Sequence, residues 1–311
     1  MSGARGPQRI FHIHQTSSLT TELRSFLVDC QARNLSPNTR RYYEQKLIPL
    51  IQFLTGMGVT DADQVEAGHL RTWLVRLQNS GHNPGGVHGH YRAMKVFFRW
   101  LCSEGVISRC PVDRIRSPRV PDQLLEPASI ESVKALLATC AGTASLDLRD
   151  RALIMALLDS GCRASEFVGL RLGDLDRRSG AVLIRQAKGG RHRVTFVGSK
   201  TLRAINRYLR TRVQKQPDSA LFATKSEQPM TYSCLRDIIR RRSGRAGVTA
   251  PSLHSFRRAF AIGCLRNGAD LVSLQRMMGH SSLTVLKLYL RQSEEDLKSV
   301  HSNTAPVDRL L

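Results

Sequence analysis

Prolines at positions 111, 118 and 121 share one short stretch with Arg114, Arg116 and Arg119. Each proline lacks an amide hydrogen and biases the residue before it away from helical dihedrals, so the stretch reads as an extended linker between two separately folding blocks. A chain of 311 residues, 41% of them hydrophobic, is long enough to bury two cores. The expected layout is a helical block over 16–110, a linker over 111–126, a second block over 127–295 and a short tail over 296–311.

Before the linker the apolar pattern is helical throughout. Leu19, Leu23, Phe26, Leu27 and Cys30 recur at helix period, which predicts a helix from about Leu19 to Ala32. Ser36 followed by Pro37 supplies an N-cap and a proline at the first helical position, predicting a second helix to about Leu54. Further helices are expected over Ala67–Gln78 and Gly86–Glu104. After the linker, helices over Ile130–Ala138 and Leu146–Leu158 give way to a period of two: Ala181–Arg185 and Val194–Val197 flank Lys188-Gly189-Gly190-Arg191, a hairpin signal. Helices return over Thr201–Val213, Tyr232–Arg242, His254–Arg266, Leu271–Met278 and Leu283–Arg291. The fold class is mainly α with a small antiparallel β-sheet, arranged as an N-terminal helical domain and a C-terminal α+β domain.

The net charge of +22 suits a polyanionic partner better than it suits solubility alone. Residues 1–122 carry 16 Lys and Arg against 9 Asp and Glu, and residues 123–311 carry 31 against 16, so both blocks are basic. Arginines outnumber lysines 38 to nine, and a guanidinium grips phosphate oxygens in a two-pronged way that an ammonium cannot, although a compositional bias toward arginine gives the same count. The longest apolar run, Ala152 to Leu158, falls far below the roughly 18 residues of a membrane-spanning helix, and residues 1–20 hold no apolar signal segment. Seven scattered cysteines with no C-x-x-C pair argue against disulfides and zinc clusters. A cytoplasmic, nucleoid-associated protein is expected.

Four segments of the second block carry polar groups suited to chemistry. In Gly161-Cys162-Arg163-Ala164-Ser165-Glu166, Arg163 and Glu166 lie three apart after a glycine break, as they would in an ordinary surface ion pair. Lys188 sits at the hairpin tip, where a lysine also serves solubility. His254-Ser255-Phe256-Arg257 opens a helix, a favourable place for an anion. With ten histidines and 38 arginines in the chain, about one H-x-x-R is expected by chance. Gly279-His280 precedes an apolar helical run ending in Tyr289, whose ring would pack equally well on a core.

In this order and spacing the four segments resemble the active site of the tyrosine recombinase family, which includes the Xer recombinases and phage integrases. The resemblance covers about Pro127–Ser293 and, more loosely, the helical block before it, which resembles the family's core-binding (SAM-like) DNA-binding domain. It implies a catalytic set of Arg163, Lys188, His254, Arg257, His280 and Tyr289, with Glu166 in support. By the same resemblance Tyr289 attacks the scissile phosphate to leave a 3′-phosphotyrosine and a free 5′-hydroxyl, and Lys188 protonates the departing oxygen. Two arginines suit the charge that builds on the non-bridging oxygens, and neutral imidazole at His254 suits a general base. Glu166 is expected to orient Arg163 or His254. Arg258 stands where many relatives carry histidine.

The expected function is site-specific recombination or integration of DNA without metal, ATP or any other cofactor. No P-loop or ligand-spaced acidic cluster occurs in the sequence. Double-stranded DNA is the expected partner, held by Arg40, Arg41, Arg92 and Lys95 on helices of the first block and by Arg240, Arg241 and Arg242 in the second. Solvated helix faces would carry the same residues. The resemblance further implies a homotetramer on two paired sites, exchanging C-terminal segments, with accessory proteins left open. A type IB topoisomerase shares the nucleophile, and a DNA-architectural protein would share the charge.

Overall fold

The computed structural model of the chain describes residues 18–121, 126–185, 192–279, 301–302 and 305. It divides into two compact units, residues 1–123 and 124–311.

The first unit is built on four helices, α1 (Leu19–Ala32), α2 (Pro37–Gly56), α3 (Ala67–Asn79) and α4 (Pro84–Ser103). Side-chain caps fix three of their starts. Ser18 accepts from the Thr21 amide, Ser36 from Thr39 and Asn83 from Gly86, each satisfying an amide that has no partner within its helix. Pro84 at the first helical position places the start of α4 two residues ahead of the Gly86 expected from the apolar pattern, because the cap is Asn83. The apolar stripes meet in a core of Phe26, Leu47, Leu50, Leu54, Phe97, Phe98 and Leu101, all essentially without exposure. Phe26 sits edge-on to Tyr43, Phe97 and Trp100, a favoured aromatic geometry. The Tyr42 hydroxyl donates to Gly89 O at 2.6 Å and ties α2 to α4. Pro111–Arg114 forms a single 3-10 turn, and Val112 and Ile115 are buried in this same core, so the chain leaves the first unit only after Ile115.

The second unit centres on α6 (Ser145–Ser160), which packs against α5 (Ile130–Ala138), α8 (Ser199–Arg210) and α10 (Leu253–Arg266). The remaining helices are α7 (Ala164–Val168), α9 (Tyr232–Ala246) and α11 (Leu271–Met278). Strands β1 (Ala181–Ile184) and β2 (Arg193–Phe196) pair antiparallel, with Ala181 opposite Phe196 and Ile184 opposite Arg193. Val182, Ile184 and Thr195 alternate toward the core, while Val194 and Phe196 face outward, as the pleat dictates. The predicted strands therefore form, and residues 188–191 of the hairpin lie outside the described residues. So do the expected helix over Leu283–Arg291 and most of the tail.

Buried arginines brace this unit. Asp150 in α6 is fully buried and accepts from Arg149 Nε and Nη2 and from Arg242 Nε of α9. Arg242 also reaches Asp147 and the Thr139 carbonyl. Arg212 donates to Glu227, the Tyr208 hydroxyl and two backbone carbonyls. Each planar fork satisfies several acceptors at once, which a lysine in the same place would not do. No described helix is long and apolar enough to cross a membrane.

Candidate active site

Gly161 ends α6 in the left-handed conformation (φ +60°), turning the chain so that Arg163 becomes the N-cap of α7 and Glu166 its third residue. That turn needs glycine, since a Cβ at 161 would lie 2.3 Å from the Phe260 ring. Glu166 Oε2 accepts from the Arg163 amide at 2.9 Å, and Oε1 accepts from Arg163 Nη1 at 2.9 Å. Of the two residues that Glu166 is expected to orient, Arg163 or His254, these contacts engage Arg163 and fix both its backbone and its side chain.

A residue that the sequence reading passed over completes the cluster. Arg193, the first residue of β2, grips the same carboxylate through Nη1 (2.9 Å) and Nη2 (2.6 Å). Its only signal in the sequence was a large cation opening a strand five residues beyond Lys188, which a solvated strand end also explains. Burial alone would raise the Glu166 pKa, but the Arg193 and Arg163 hydrogen bonds outweigh it and hold the carboxyl at about 2.

Ser252 caps α10 by accepting from the Ser255 amide, which puts His254 in the first turn and Arg257 one turn further along. Arg257 is buried, and its Nη1 donates to the Gly161 carbonyl while Nη2 donates to Met278 O at 2.6 Å. Burial and the nearby Arg163 charge lower its pKa to about 10, so it stays a cation at neutral pH. The His254 pKa falls below its ordinary value near 6.5, first through partial desolvation and then through the charges of Arg258, Arg257 and Arg163. Arg258 is itself buried and donates to the Glu126 carbonyl at 2.8 Å, close to where the Ala128 amide bonds Ser255 O. Thus the position that departs from histidine holds the entry of the second unit against α10.

Three guanidinium groups meet at one place, the C-terminal end of α11. Arg193 Nε donates to Met277 O (3.0 Å), Arg257 Nη2 to Met278 O and Arg163 Nη2 to Gly279 O (3.3 Å). The last carbonyls of a helix lack intrahelical partners and carry its negative end, so cations are favoured there. Gly279 is left-handed (φ +65°), and a Cβ on it would lie 2.8 Å from the Arg193 side chain. The structure thus brings Arg163, Glu166 and Arg257 into one cluster with Arg193, and His254 stands within electrostatic reach of Arg163 and Arg257. Lys188, His280 and Tyr289 lie outside the described residues. Among the described residues, no group of three or more His, Cys, Asp or Glu could hold a metal ion.

The seven residues expected to contact DNA divide by exposure. Arg41 and Arg92 are exposed and Lys95 is half-buried on the first unit. Arg40 is half-buried, with Nη1 donating to Gln31 at 2.7 Å. Arg240 is 76% exposed, near Asp237, and Arg241 is half-exposed with one donor on Asp150. Arg242 is a correction: it lies inside the unit, committed to Asp147, Asp150 and Thr139, and cannot reach an external phosphate. A run of three arginines on a helix spans most of a turn, so one of them must point to the core.

Comparison with known proteins gives the same picture. Residues 129–296 match the model of the phage integrase family, and residues 23–105 match the phage integrase N-terminal SAM-like domain. The tyrosine recombinase XerD of Ralstonia nicotianae is 30% identical over 277 residues, covering 88% of this chain and 89% of the relative. The tyrosine recombinase XerC of Listeria monocytogenes is 30% identical over 281 residues, covering 88% and 93%. A crystal structure of a lambda integrase dimer bound to a COC′ core site superposes with a TM-score of 0.74 at 14% identity, over 90% of this chain and 80% of that one, a likeness of fold. The chain belongs to the phage integrase family and is a tyrosine-type site-specific recombinase.

Proposed function

We propose that this recombinase cuts and rejoins double-stranded DNA at a specific site through a covalent bond between Tyr289 and a 3′-phosphate. The observation that carries the reading is the meeting of Arg163 and Arg257, 94 residues apart in the chain, at Met278 and Gly279, directly ahead of His280 and ten residues ahead of Tyr289. In the proposed step the Tyr289 oxygen forms a bond to phosphorus and gives its proton to His254. The bond to the 5′-oxygen breaks, and that oxygen leaves with a proton from Lys188. Arg163 and Arg257 hold the non-bridging oxygens, whose charge grows in the transition state, Arg257 turning to the phosphate one of the two nitrogens that meet the Gly161 and Met278 carbonyls in this structure, and His280 adds a hydrogen bond. The lowered His254 pKa keeps its imidazole neutral and able to accept a proton near pH 7. The phosphotyrosine retains the energy of the broken bond, so a partner strand's 5′-hydroxyl reverses the step without ATP, and the charge work falls to guanidinium groups rather than a metal.

DNA is held on both units, through Arg41, Arg92, Lys95 and a less free Arg40 on the first and through Arg240 and Arg241 on the second. Two sites pair in a homotetramer, each subunit's C-terminal segment, residues 296–311, docking on a neighbour. The second unit offers an apolar groove for such a segment, lined by Ile130, Val133, Leu137, Met155, Leu158, Phe260 and Cys264.

The test is to arrest expressing cells with detergent, recover protein-linked DNA and sequence the attached ends. Adducts joined through 3′ ends at a few defined sites, lost in Tyr289→Phe, are expected. Adducts that survive Tyr289→Phe, or none from the wild type, overturn the reading. Deleting residues 299–311 is expected to reduce two-site pairing while single-site binding persists.

A further inference from the structure

We propose that Arg193 is a positioning residue for strand cleavage: by taking up the charge of Glu166, it leaves Arg163 free to serve the phosphate. The inference rests on the assignment of Arg163 to the scissile phosphate made above.

A carboxylate offers about four lone-pair directions, and in Glu166 all four are used: two by the Arg193 fork, one by Arg163 Nη1 and one by the Arg163 amide. Two guanidinium groups therefore share one negative charge. They are not placed alike. The Arg193 side chain is 9% exposed and its Nε is committed to Met277 O, whereas the Arg163 side chain is 30% exposed. The inner arginine neutralises the carboxylate and the outer one retains a positive charge toward solvent. Together with Arg257 the cluster presents two net positive charges, the number needed to clamp two phosphate oxygens.

Without Arg193 the accounting changes. Glu166 would stay buried and ionised with Arg163 as its sole remaining charged partner among these groups, so Arg163 would be drawn inward and neutralised. The cluster would fall to one net positive charge, and the α11 end would lose its tie at Met277. Arg193 also starts β2, so the same side chain couples that strand to the arginine clamp.

The experiment uses the full-length protein and genomic DNA of the expressing strain, sheared and lightly nicked so that short cleaved ends diffuse away and covalent adducts accumulate. Adduct formation is timed at saturating and limiting DNA, and folding is followed by thermal melting. Arg193→Gln is expected to slow adduct formation at saturating DNA by roughly 100-fold, with half-saturation nearly unchanged. Arg193→Lys, which keeps the charge but cannot make the fork, falls between. The deciding variant is the pair Glu166→Gln with Arg193→Gln, which removes both charges of the inner pair and restores two net positive charges. It is expected to recover at least about tenfold of the rate lost in Arg193→Gln. A folded Arg193→Gln that cleaves as fast as wild type, or a folded double variant no faster than the single one, overturns the inference. Should Arg193→Gln not fold, the comparison passes to the uncharged Arg193→Met, and a folded Arg193→Met as fast as wild type overturns it equally. Absence of adducts from the wild type instead sinks the phosphotyrosine reading on which it stands.

Discussion

Asp150 and Arg242 form an ion pair of 2.7 Å sealed between α6 and α9, with side chains 0% and 2% exposed. Breaking one partner strands the other charge away from water, which costs about 3–5 kcal/mol, far more than any exposed pair contributes. Asp150→Ala and Arg242→Ala should each lower the unfolding free energy obtained from urea titration by that amount. A loss under 1 kcal/mol would show that water reaches the pair.

Arg240, 76% exposed on the same helix, behaves differently. Arg240→Ala should leave stability within about 0.5 kcal/mol of wild type. It should flatten the slope of log binding constant against log salt by about one unit, the signature of a lost phosphate contact. An unchanged slope removes Arg240 from the DNA surface.

The contrast between these neighbours shows how far the sequence could be read. Helix period located ten of the eleven α-helices among the described residues to within four residues at either end, and local caps such as Ser36 and Ser252 sharpen several of the starts. Helix period puts Arg242 on the face of Leu235, Ile238 and Ile239 and Arg240 off it, but a cation on that face reads as a break in the stripe until its partner is known, and the partner is Asp150, an acid 92 residues away in the chain. For the same reason Arg193 was invisible as a site residue while Arg163 was not: Arg163 stands three before its carboxylate, and Arg193 meets it only across the fold. The short helix α7 was likewise missed because five residues are too few to show a period.

On the proposed role of neutral His254 as proton acceptor, the rate of strand cleavage should rise with pH along a limb set by that imidazole. Its pKa lies below 6.5, so the limb belongs on the acidic side of that value and the rate should be level from about pH 7. Arg258→Gln removes a neighbouring positive charge, raises that pKa and moves the limb to higher pH. A profile that does not shift would exclude His254 as the titrating group.

Acid should loosen the cluster through Glu166. Its carboxyl titrates near 4.5 when unfolded and about 2 when folded, so its stabilisation is complete above about 4.5 and is lost as the pH falls toward 2. Thermal midpoints of the wild type should decline across that interval, and those of Glu166→Gln should decline less. Equal slopes would mean that other carboxylates dominate.

Gly161→Ala should damage both stability and cleavage. The left-handed backbone penalises any Cβ by about 1 kcal/mol, and this one also displaces the Phe260 ring. Because the Gly161 carbonyl receives Arg257, melting and adduct formation should fall together. A variant that melts lower but reacts normally would separate the turn from the chemistry.

The arginine surplus is two populations with opposite tolerance. Residues 149, 212, 242 and 257 are interior joints whose forks satisfy several acceptors at once, and buried Arg258 ties α10 to the Glu126 carbonyl. Those at 41, 92 and 240 stand outside. Engineering that seeks a lower isoelectric point, or trades arginine for lysine throughout, can draw only on the outer group. A wholesale exchange would take the joints apart before it altered how the protein meets a polyanion.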